Sequence, residues 1–167
     1  MFRCGVYFER KFQKKDKCLV VGIDEAGRGP LAGPVVAAAV HLKTFKFKNR
    51  IDDSKKLTPA QREKAFFEIA EKSAFGIGVV NEKVIDRVNI LVATELAMEQ
   101  AVEGLLEKFP SYQRQSVQLL VDGTVKLNLG LPYLNIIKGD ARSKSIAAAS
   151  YKFGFMRRNR GNTLSTT

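Results

Sequence analysis

Histidine is almost missing from this chain: His41 is the only one among 167 residues. That excludes zinc sites built on several histidines and leaves a Ser-His-Asp or Cys-His engine a single residue to draw on. His41 follows an apolar run and reads as a partly buried structural residue. Cysteine is scarce too. Cys4 and Cys18 are the only two, their spacing fits no zinc motif, and they provide no disulfide framework, which points to a reducing compartment. Long apolar runs are absent as well. The longest, residues 35–40, falls far short of the roughly 20 residues that cross a bilayer. The basic N-terminus has no apolar segment behind it to act as a secretory signal. The expectation is a cytoplasmic protein with no membrane association, whose catalytic vocabulary is carboxylate.

What is abundant is positive charge. Lysine and arginine number 28 against 17 acidic residues, a formal net charge of +11. The basic residues cluster at Lys11, Lys14, Lys15 and Lys17, again from Lys43 through Arg50 to Lys56, and at Arg142 and Lys144. A solvated lysine-rich surface would account for some of this; clustering points to a polyanionic partner. A hydrophobic share of 45% and a charged share of 27% suit one compact domain with its own core.

Along the chain, residues 1–17 read as a basic N-terminal arm or short strand with interspersed aromatics. Residues 18–23 and 34–42 read as strands joined too tightly for a crossover helix, hence antiparallel neighbours. Thr58-Pro59-Ala60-Gln61 has the chemistry of a capping box with proline at the first helical position; Gly76 is placed to end that helix. Residues 75–80 read as a strand, 81–88 as a short helical turn and 90–108 as a longer helix. Strands at 117–121 and 134–138 follow, then a helix from about Arg142. The alternation says α/β, one domain, with a mixed sheet flanked by helices.

Acidic residues terminate three of these apolar runs: Asp24-Glu25 after Val20 to Ile23, Asp122 after Leu119 to Val121, and Asp140 after Leu134 to Gly139. If the three strands lie side by side, their ends gather four carboxylates at one sheet edge. Carboxylates so crowded resist ionisation unless a cation sits among them. Each position has a plainer reading: Asp122-Gly123 suits a hairpin turn, and Asp140 stands where a helix N-cap belongs. Asp24-Glu25 is followed by Ala26-Gly27-Arg28-Gly29-Pro30, a glycine-rich loop suited to close approach of phosphate. It lacks the Gly-Lys-Ser/Thr of a Walker A loop.

The run from Gly22-Ile23-Asp24-Glu25-Ala26-Gly27-Arg28-Gly29-Pro30 to Val40 closely resembles the opening signature of the ribonuclease HII family. Asp53-Ser54-Lys55-Lys56-Leu57, Asn89 to Thr94, Leu120-Val121-Asp122-Gly123 and Lys138-Gly139-Asp140 to Ser150 continue the likeness in order, over residues 18–150. The resemblance implies a ribonuclease H-like fold. It implies an endonuclease that hydrolyses RNA in RNA–DNA hybrids and cuts at ribonucleotides embedded in duplex DNA, acting as a monomer with Mn²⁺ or Mg²⁺. The family's four catalytic acids fall on Asp24, Glu25, Asp122 and Asp140, with metal ligands at Asp24, Glu25 and Asp122. Its sensor of the ribose 2′-hydroxyl falls on Gly27, Arg28 and Gly29, while Lys55 and Lys56 would grip backbone phosphate. Two ions can activate water and stabilise a leaving 3′-oxygen without histidine. Adjacent strand residues face opposite ways, so Glu25 must lie past the strand end or offer its main-chain carbonyl.

After Ser150 the likeness stops, and residues 151–167 form a divergent tail with no clear periodicity. A truncated or frame-shifted gene would give such a tail, and Tyr151 lies in the wrong motif to replace the family's ribose-packing tyrosine. The competing expectations are a catalytically weak or inactive remnant that binds nucleic acid without cutting it, and a basic RNA-binding protein whose acids are turn and cap residues.

Overall fold

The computed structural model describes residues 4–16, 18–26, 33–51 and 56–151. Its strands are β1 (Leu19–Ala26), β2 (Val35–Leu42), β3 (Ser73–Val80), β4 (Val117–Asp122) and β5 (Tyr133–Ile136). Its helices are α1 (Tyr7–Asp16), α2 (Pro59–Lys72), α3 (Glu82–Val88), α4 (Ile90–Leu106) and α5 (144–151). The strands form one mixed sheet in the order β3-β2-β1-β4-β5. The tight β1–β2 connection does give an antiparallel pair, β2 and β3 are antiparallel, and β4 and β5 run parallel to β1.

Side-chain alternation along the strands divides the interior. On one face Leu19, Val21, Ile23, Leu119 and Val121 meet Ala93, Ala97, Met98 and Ala101 of α4. On the other, Val20, Leu120 and Ile136 pack with Ile146 of α5 and with Phe8 and Phe12 of α1, while Ala38 and Val40 meet α2 and the rest of α5. The N-terminal segment is thus a helix rather than an arm or strand. Phe8 and Phe12, one helical turn apart, supply its half-buried stripe.

Gly76 does not stop α2, which ends at Lys72. It lies in β3 together with Gly78, where a Cβ would stand 2.0 Å from the Ala101 carbonyl oxygen and 1.8 Å from that of Ala97. The two glycines let the α4 backbone rest directly on the sheet. At the other end of α2 the capping box is present, with Thr58 Oγ1 accepting from the Gln61 amide and Gln61 Oε1 from the Thr58 amide. His41 is structural, as expected: Nδ1 stands 2.9 Å from the Val20 carbonyl oxygen, and the ring meets Phe109 edge-on. Burial pushes its pKa down, outweighing the Val20 contact.

Residues 43–50 are tied to α2 through Glu68. Its carboxylate accepts from the Lys48 amide (2.7 Å), the Asn49 amide (2.8 Å) and Asn49 Nδ2 (2.9 Å), and pairs with Lys72 Nζ at 2.7 Å. Desolvation raises the Glu68 pKa, but these donors together overcome it and bring it from 4.5 to about 2. A depressed carboxylate pKa contributes stability above the unfolded value and loses it as pH falls toward the folded one. Glu68→Ala is therefore expected to cost about 2 kcal/mol at pH 7. Chemical denaturation across pH should show that deficit shrinking between pH 4.5 and about 2.

Candidate active site

The parallel register of β1 and β4 pairs Ile23 with Val121, and the next step along both strands carries the chain to Asp24 and Asp122. Both side chains belong to the face covered by α5, since Val20, Leu120 and Ile136 share it. Asp122 pairs with Ile136 of β5, and Asp140 follows four residues later in a single 3-10 turn, Gly139–Ala141. Three strand ends thus bring acids to one edge of the sheet.

Their mutual influence is visible at Asp24, which is only 7% exposed. Its pKa is raised well above the ordinary range, first by burial, then by the negative charges of Asp122 and Glu25, with Asp140 adding less. The Glu25 amide donates to Asp24 Oδ1 at 2.8 Å and opposes the rise without cancelling it. Glu25 differs from expectation in one respect. β1 continues to Ala26, and Glu25 pairs with Ala37 inside the ladder rather than lying past the strand end. Alternation directs its side chain toward the α4 face, though its charge still acts on Asp24.

The plainer readings of the other two acids do not hold. Asp122-Gly123 is no hairpin, because β5 runs parallel to β4. Gly123 instead takes a positive φ of 79° and donates its amide to the Ile136 carbonyl at 3.1 Å. Asp140 does not cap α5; Ser143 does, its Oγ accepting from the Ile146 amide at 3.2 Å.

Two glycines shape the site, and neither stands among the expected site residues. Gly139 is buried, and its amide donates to Asp122 Oδ1 at 2.6 Å. A Cβ there would lie 2.5 Å from Ile146 Cδ1 and 3.1 Å from that same carboxylate oxygen. Gly22, two residues before Asp24, has no room for a side chain because the Ser145–Ile146 peptide sits on it, 2.1 Å from where a Cβ would be. The signal for Gly139 was present as the glycine of Lys138-Gly139-Asp140, with Lys138 in the left-handed region at φ 54°.

Of the expected substrate contacts, Gly27, Arg28, Gly29 and Lys55 lie outside the described residues, as does the tail beyond Tyr151. Lys56 is exposed two residues ahead of the Thr58 cap. Among the described residues no three His, Cys, Asp or Glu side chains stand close enough to hold a metal ion as they are. The donor set nevertheless fits a hard divalent cation. It consists of carboxylate oxygens, and a buried aspartate with like charges as neighbours is relieved by positive charge. Nor is any helix among the described residues long and apolar enough to cross a membrane.

The ribonuclease HII family model matches residues 21–151. The ribonuclease HII of Geobacter sulfurreducens is 51% identical over 144 residues, which is 86% of this chain and 63% of that protein. That of Caldicellulosiruptor bescii is 47% identical over 147 residues, 86% of this chain and 68% of its own length. The chain thus spans roughly half to two thirds of the curated relatives it matches, 54% in the case of Acetivibrio thermocellus. Among solved structures, the ribonuclease H2 of Pyrococcus horikoshii superposes with a TM-score of 0.63 at 25% identity, covering 87% of this chain and 74% of that one. The complex of PCNA with RNase HII from Archaeoglobus fulgidus gives 0.67 at 24% identity, over 87% and 76%. The fold is the ribonuclease H-like one expected.

Replacing Asp24 by Asn should raise stability at neutral pH, because it removes a buried carboxyl whose ionisation burial and like charges oppose. A carboxyl whose folded pKa is raised costs stability as pH climbs from its unfolded value, roughly 4, through the folded one. Melting curves should therefore show Asp24→Asn above wild type at pH 7 to 8 in chelator, with the two converging below about pH 4.

Proposed function

The chain belongs to the ribonuclease HII family, and on that premise we propose that it is a divalent-metal-dependent endonuclease. It hydrolyses the RNA strand of RNA–DNA hybrids and cuts beside ribonucleotides embedded in duplex DNA. The observation that carries this reading is the elevated Asp24 carboxyl among Asp122, Glu25 and Asp140. A buried carboxyl with three half-buried acids beside it, at the ends of parallel strands, suits cation-assisted phosphate chemistry.

Asp24, Asp122 and Glu25, the last through carboxylate or carbonyl oxygen, would hold Mn²⁺ or Mg²⁺. A pair of such ions, when bound, supplies an activated water and charge stabilisation at the leaving 3′-oxygen. In the strand order β1-β4-β5 it is Asp122, rather than Asp24, that lies between the other two acid-bearing ends. Asp122 is aimed by the Gly139 amide, which occupies one of its oxygens and fixes the carboxylate plane. Asp140, on the turn that follows, orients water or leaving group at the same edge. Gly27, Arg28 and Gly29 would read the ribose 2′-hydroxyl, the group that distinguishes RNA from DNA at a single position. Lys55 and Lys56 would hold backbone phosphate without reading sequence. All four acids come from one chain, so the reading requires no second copy.

The test is a labelled duplex carrying one ribonucleotide, incubated with the protein and Mn²⁺. Cutting beside the ribonucleotide is expected. Asp24→Asn and Asp122→Asn should each lower the rate by about 100-fold or more, with duplex affinity within about threefold. Binding without cutting by the wild-type chain would favour the inactive-remnant reading. Undiminished cutting by Asp24→Asn would remove Asp24 from the metal site.

A further inference from the structure

Glu9 is fully buried, lies outside the residues matched by the family model, and has no part in the chemistry above. Its Oε1 accepts from Ser143 Oγ at 2.7 Å and from the Ser145 amide at 2.9 Å. Its Oε2 has no partner among the described residues. A buried carboxylate so placed would be costly to retain for packing alone.

The start of α5 shows what it does. A helix opens with amides that have no intrahelical acceptor. Here the Lys144 amide donates to the Gly5 carbonyl at 3.0 Å, the Ser145 amide to Glu9, and the Ile146 amide to Ser143 Oγ. The Ala147 amide then makes the first bond of the helix itself, to the Ser143 carbonyl. The N-terminal segment therefore caps α5 from outside, with a carbonyl and a carboxyl oxygen taking up amides at the start of the helix. Phe8 adds a second hold, its ring centroid 5.4 Å from the Arg142 guanidinium.

Glu9 holds the Ser145 amide directly and the Ile146 amide through Ser143 Oγ, and so flanks the peptide between Ser145 and Ile146. Ser145–Ile146 seats on Gly22, two residues before Asp24. The Ile146 side chain fills the space above Gly139, whose amide aims Asp122. From these contacts we propose that Glu9 is a positioning residue for the acidic site. It acts through the Ser145–Ile146 peptide and Gly139 to set the spacing of Asp24 and Asp122, and so makes α1 part of the catalytic unit. The activity arm of the test rests on the nuclease reading; the metal arm does not.

The experiment compares wild type, Glu9→Ala and Glu9→Gln by Mn²⁺ titration calorimetry and by single-turnover cleavage of the ribonucleotide duplex. Both are run below each variant's melting temperature. Glu9→Ala is expected to weaken Mn²⁺ binding and lower the cleavage rate by roughly 10-fold, with KM within about twofold. Glu9→Gln, which keeps an oxygen for Ser143 and Ser145, should recover most of both losses. If Glu9→Ala does not fold, Glu9→Asp, which keeps the charge but is a methylene shorter, is read in its place with the same expectation. A folded variant with wild-type Mn²⁺ affinity and rate, merely melting lower, overturns the inference. Wild-type protein that binds Mn²⁺ without cutting refutes the nuclease reading, and the Mn²⁺ affinities of the variants then decide the role of Glu9.

Discussion

Parallel pairing of β1 with β4 is the constraint on which everything else turns. An antiparallel partner would point its strand end the other way and carry Asp122 to the opposite edge of the sheet, away from Asp24. Parallel strands need a crossover between them, and here it includes α4. The glycines at 76 and 78 let that helix approach the sheet closely. An apolar helix packed on the sheet therefore lies within the crossover that sets two of the acids side by side.

Electrostatics work at two scales around the site. Locally, four negative groups gather and one of them is driven away from ionisation. Globally, the chain carries a net charge of +11, a field that draws polyanions toward the surface whatever their sequence. A phosphate backbone would be attracted by the whole and repelled by the acids, and on the reading proposed above a divalent cation at the strand ends would reconcile the two. On that reading the lysines and arginines would supply affinity and the carboxylates chemistry.

Much of this was legible in the sequence because it is written in local patterns. Apolar runs ending in acids marked β1, β4 and the approach to Asp140, and Thr58 to Gln61 marked the start of α2. What escaped depends on tertiary contact. Gly76 looks like a helix terminator by its neighbours and proves to be a strand residue because α4 needs the space. Glu25 could not be placed, because the length of β1 is set by its pairing with β2. Glu9 drew no notice in a run of basic residues, although Phe8 and Phe12 at helical spacing were enough to suggest an amphipathic helix. Its partners lie 134 and 136 residues away, and no local pattern encodes a contact of that range.

That separation bears on how the molecule is made. α1 is synthesised well before the groups that donate to it, since Ser143 Oγ and the Ser145 amide are among the last described residues to be made. Until they emerge, Phe8 and Phe12 have no Ile146 to cover them, and the carboxylate between them stays in water. Docking of the first helix is thus a late, long-range closure with a high entropic threshold. A nascent chain can thus pair all five strands of the sheet before the contact that seats α1 exists.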